Sequence, residues 1–151
     1  MRSGVAIGAA ALALAACMPN PQSVRERRAE FDRSGLEGEY IVSELPDDLV
    51  RVGAVFDETF ELVGYTLEPE RPKRGDTVTV TYYWTALQLS ARDFQVFIHG
   101  DAIDGDYRRL HGDHWPADGE YPTGVWRKGE YVKDPFRITI PGSYGPDRLG
   151  L

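Results

Sequence analysis

The sequence predicts an antiparallel all-β fold, a β-sandwich built from many short strands. Three observations carry that expectation. Apolar residues recur with period two in run after run, and no window has the i, i+3, i+4, i+7 spacing of a long amphipathic helix. Among 151 residues, 16 glycines and 10 prolines punctuate the runs with turn chemistry. The length allows at most one ordinary domain, and the roughly 115 residues left after the N-terminal segments suffice for a sandwich core.

Taken in order, residues 1–16 have the plan of a signal peptide: Arg2, then an uncharged run over 5–16 rich in Ala, Leu, Ile and Val. At 12 residues the run is shorter than the ~20 that a permanent membrane helix needs. Leu14-Ala15-Ala16-Cys17 looks like a bacterial lipobox, in which the cysteine thiolate takes a diacylglyceryl group and the peptide before it is removed. The alternative is an ordinary secretory signal cut near Ala13-Leu14-Ala15. Two or three acyl chains on Cys17 suffice for stable membrane anchoring. Met18 follows Cys17 where an Asp would signal inner-membrane retention, so a Gram-negative cell would sort the protein to its outer membrane.

Residues 17–35 read as the lipidated cysteine and a solvated tether, with Pro19 and Pro21 disfavouring helix, room for one helical turn within 18–34, and a charged Arg25-Glu26-Arg27-Arg28 cluster that is either a solvated linker or a contact for anionic headgroups. The domain proper is expected over 36–151. Candidate strands occupy 50–56 and 60–67. In the clearest run, 77–84, Val78, Val80, Tyr82 and Trp84 share one face and Thr77, Thr79, Thr81 and Tyr83 the other. In 94–99, Phe94, Val96 and Ile98 point inward. The Asp104-Gly105 pair then reads as a turn into a strand over 106–111, and Phe136, Ile138 and Ile140 form the last inward set.

Several of these stretches together carry a resemblance. Leu62-Val63-Gly64-Tyr65, Arg74-Gly75-Asp76-Thr77 leading to Trp84, Val96-Phe97-Ile98-His99, Asp113-His114-Trp115-Pro116, Tyr121-Pro122-Thr123, Trp126, Gly129-Glu130 and Ile138-Thr139-Ile140-Pro141 occur in a characteristic order over about 53–141. This order resembles an accessory β-sandwich module of bacterial envelope proteins, including some membrane glycosyltransferases. The resemblance implies an immunoglobulin-like topology and an extracytoplasmic setting, with no assigned activity. It also implies a further strand after a Pro-Gly turn, where residues 145–151 stand here. A sheet lacking that strand would offer an edge to strand addition by a partner or a second copy. Alternatively, the short tail or the segment 36–42 covers it.

The side-chain balance excludes some functions. A net charge of −7, which becomes −8 once Arg2 is removed with the signal peptide, argues against a nucleic-acid partner. A single cysteine closes no intrachain disulfide and forms no CxxC knuckle. No GxSxG elbow or phosphate loop is present.

His99, His111, Asp113 and His114 form a candidate metal set of the type zinc accepts, although no helical HExxH motif frames them. The competing reading has His114 and Asp113 anchoring a loop through backbone hydrogen bonds. Trp115, Tyr121 and Trp126 lie in a loop that could stack sugar faces; in the competing reading, Trp115 and Trp126 fold back as a lid over the open end of the core.

The expected function is a lipid-anchored, non-catalytic cell-envelope module for protein interaction or structural support. Its cofactor is none beyond the covalent lipid, and its partners are the membrane and an envelope protein or glycan. A carbohydrate-binding module and a metal-dependent hydrolase are the alternatives.

Overall fold

A computed structural model describes residues 23–102, 109–143 and 149–150. The segment expected as a signal peptide, Cys17, the turn expected at Asp104-Gly105 and most of the 145–151 tail lie outside the described residues. The architecture is all-β and sandwich-like, as the period-two pattern predicts. Strands β1 (Ile41–Val42), β2 (Val50–Phe56), β3 (Phe60–Glu68), β4 (Thr77–Ala86) and β7 (Tyr131–Thr139) form an antiparallel sheet in the order β1-β7-β4-β3-β2. A smaller sheet has the order β6-β5-β8, from β5 (His99–Ala102), β6 (Leu110–His111) and β8 (Leu149–Gly150). No helix among the described residues is long and apolar enough to cross a membrane.

One face of the large sheet is the inner face. Alternation puts Val78, Val80, Tyr82 and Trp84 of β4 on it, opposite Ile138, Phe136, Asp134 and Val132 of β7. Two covers share this face. Over one half, Ile98, just before β5, and Leu110 of β6 pack against the cluster of Val78, Val80, Tyr82 and Ile140. Gly112 permits that approach, because a Cβ there would stand 2.8 Å from the Phe136 ring. Over the other half, Ala117, Tyr121, Val125 and Trp126 of the long loop join Leu36, Ile41 and Phe60.

Two expectations need correction. The strand expected over 94–99 begins only at His99, with one isolated bridge at Val96 to His114, and Phe94 is largely exposed. Phe94 is drawn sideways onto Phe60, with ring centroids 5.8 Å apart, instead of into the sheet-on-sheet core.

The tether is the second correction, for from Ser23 onward the chain is folded onto the domain. Helix α1 (Val24–Glu30) starts at a capping box in which Ser23 N–H donates to Glu26 Oε2 and Glu26 N–H to Ser23 Oγ. Seven residues cannot hold a helix alone, so docking must stabilise it. Arg27 forms a two-pronged pair with Asp93 at 3.0 and 3.2 Å, and Arg28 donates to the carbonyls of Ser90 and Gly124. The charge that suggested a solvated linker is therefore what binds it to the domain.

Candidate functional site

The aromatic residues of the long loop fold inward. Tyr121 and Trp126 are 0% and 2% exposed, and only Trp115, at 49%, meets solvent. Trp126 meets the Phe60 ring edge-on at 5.5 Å and donates its indole N–H to the Tyr121 carbonyl. The trio that could stack sugars is therefore dispersed, and two of its members are core.

Polar pins hold this lid. Arg33, Tyr121 and Glu130 form one cluster, in which Arg33 donates to Glu130 Oε2 at 2.8 Å and the Tyr121 hydroxyl lies in short contact with both partners. Burial pushes the Glu130 carboxyl up, but Arg33 and Tyr121 outweigh it and hold Glu130 below the usual carboxylate range. Burial and the Glu130 charge push the Tyr121 phenol up.

The other pin is Asp134, 0% exposed on the inner face. Its carboxylate accepts the Ala117 N–H at 2.9 Å, the Trp84 indole N–H at 3.2 Å and His114 Nε2 at 3.0 Å. Ala117 and Asp118 both have φ of 53°, a left-handed conformation costly for residues with a Cβ, and the Asp134 contact holds the first of them there. His114 Nδ1 faces the Gly112 carbonyl at 2.7 Å, so both ring nitrogens meet acceptors and the ring stacks on Phe136 at 4.6 Å. Burial disfavours charge on the ring, yet Asp134 and the Gly112 carbonyl outweigh it and raise the His114 pKa above its ordinary 6.5.

His114 is thereby removed from the candidate metal set. The other three members converge. His99 and His111 are register partners across β5 and β6, with rings in a T-shape 5.3 Å apart. Asp113 joins them, and ligand atoms of the three lie within 4.8 Å of one another on the exposed surface.

A groove of about 660 Å³ opens between the ends of β2 to β4 and the 89–97 segment. Phe56, Phe60, Trp84, Phe94, Val96 and Phe97 supply most of its apolar wall, and Phe97 is 70% exposed. Along its rim, Val96 exchanges both backbone bonds with His114, which turns the neighbouring Gln95 and Phe97 backbone groups the other way. Among the described residues, the N–H and C=O of Gln95 and Phe97 have no hydrogen-bond partner. β8 occupies this same edge farther along, opposite Asp101 and Ala102, while β1 covers β7 opposite Tyr131 and Val132. Segment 36–42 and the tail therefore cover part of two edges; among the described residues, the outer edge of β2 and the stretch beside the groove have no partner strand.

Sequence reasoning did not single out Asp134, Arg33 or the groove. Asp134 had a signal: it stands two residues before Phe136 on the strand's inward-facing register, where a carboxylate must find partners. No family model, curated protein or solved structure matches the chain. The molecule's class is thus an all-β, sandwich-like domain with a docked N-terminal helix, defined by its own geometry.

Proposed function

We propose that the chain is a lipid-anchored, non-catalytic module of the bacterial cell envelope that binds an extended, apolar segment of an envelope protein. The observation that carries this reading is the aromatic groove bordered by unpaired backbone at Gln95 and Phe97. Strand addition uses those two elements together: main-chain bonds along the edge supply affinity, and pockets for alternate side chains supply specificity. A glycan would call for exposed aromatic faces, and Tyr121 and Trp126 are buried. The signal peptide, the lipobox ending at Cys17 and the likeness to envelope accessory modules support the location, at the outer membrane in a Gram-negative cell. The immunoglobulin-like topology belongs to this same reading.

Photo-crosslinking in intact cells tests it. A benzophenone side chain at Phe97 is expected to join one envelope protein through a mappable extended segment, and Phe94→Asp is expected to abolish the adduct. The same probe at Arg137, exposed on β7, serves as the control. Adducts equal at both positions, or only to glycan or lipid at Phe97, would overturn the groove assignment. Intact mass of the mature chain checks the anchor, and an unmodified Cys17 would overturn that part.

A further inference from the structure

We propose that His99, His111 and Asp113 form a binding site for a divalent transition metal, with zinc the best match. The site is independent of the groove, whose lining includes none of the three. Cross-strand pairing of β5 with β6 sets His99 directly opposite His111. Asp113 follows two residues after His111, and period-two alternation brings it to the same side, while His114 turns to the other and reaches Asp134.

The donor geometry is near that of a bound ion. Zinc with bonds of ~2.0–2.1 Å holds tetrahedral donors about 3.3 Å apart. The three ligand atoms lie within 4.8 Å of one another, so small side-chain rotations close the site. No hydrogen bond to a described residue occupies either imidazole. The carboxylate is oriented from behind: Ile98 N–H donates to Asp113 Oδ1 at 3.1 Å and leaves Oδ2 for the metal. Such outer contacts are what fix a ligating carboxylate. Two imidazoles and one carboxylate suit zinc and other borderline ions, whereas calcium and magnesium require a shell of oxygens. The fourth position faces solvent and takes water. By joining β5 to β6, the ion would staple the hairpin of the small sheet.

The test is zinc titration of the full chain in detergent, stripped of metal beforehand, by calorimetry and by thermal melting. One saturable equivalent is expected, with magnesium and calcium giving no comparable heat. His99→Ala and Asp113→Ala should each weaken zinc binding at least tenfold. Zinc at a hundredfold excess over its Kd should raise the melting temperature by roughly 5 °C or more in the parent chain and not in His99→Ala/His111→Ala. Zinc binding by the double variant equal to the parent's would place the ion elsewhere and overturn the site, as would the absence of a saturable equivalent. All three variants alter exposed residues, and an unchanged melting temperature without metal shows that they fold.

Discussion

Two constellations of histidine and carboxylate adjoin in sequence, at Asp113 and His114, and meet opposite fates. Asp134 is fully buried and His114 partly so, and every polar atom of the pair that faces the interior has a partner. His99, His111 and Asp113 are exposed, and among the described residues no hydrogen-bond partner occupies their imidazoles. The residue types are the same. The difference comes from the face of the strand: one step along the chain, from Asp113 to His114, crosses from solvent to core. A buried imidazole beside a carboxylate is consumed by structure, whereas an exposed convergent set keeps its lone pairs for a ligand.

The largest effect expected from breaking that contrast is at Asp134. Asp134→Ala leaves His114 Nε2, the Trp84 indole and the Ala117 amide without their partner, and chemical denaturation should show a loss of about 3–5 kcal/mol. Next comes Gly124→Ala. A Cβ there would collide with the Arg27 guanidinium and stand 2.6 Å from Asp93 Oδ1, so the Arg27 pair must open. A loss of about 1–2 kcal/mol is expected, together with faster proteolysis at α1.

A pH series separates the two histidine environments directly. Because folding raises the His114 pKa, its stabilising contribution is complete below the unfolded value of 6.5 and is lost as pH rises through the folded value. Stability should therefore decline on the alkaline side of 6.5, and His114→Gln should flatten that slope. His99→Ala/His111→Ala should leave the slope in place. The smallest effect is the stability of this double variant without metal, expected within about 0.5 kcal/mol of the parent by denaturant midpoint.

Much of the fold was legible because alternation is a local signal. Val78, Val80 and Tyr82 are buried together, and the 50–56 and 60–67 runs appear as β2 and β3 with at most one residue's difference. The folding back of Trp115 and Trp126 was one of two readings that the loop's composition left open; Trp126 is buried as that reading has it, and Trp115 is exposed. What eluded the sequence depends on contacts across many residues. Arg27 and Asp93 are 66 positions apart, and Arg33 and Glu130 are 97 apart, so no window joins them. The groove was invisible for the same reason, since β2 to β4 and the 89–97 segment meet only in the folded chain. Phe94 shows the limit of alternation, which assigned it inward although the isolated bridge at Val96 cannot keep the stretch in a regular pleat.

The docked helix also sets how far the domain can stray from a membrane. Cys17 precedes Ser23 by six residues, and a chain fully extended at 3.3–3.6 Å per residue covers about 20 Å over that interval. With Cys17 lipidated as proposed, α1 acts as a mooring post on a short line. Arg28 ties that post to the carbonyl of Ser90, a residue of the groove wall, so the groove is held within a domain's width of the bilayer.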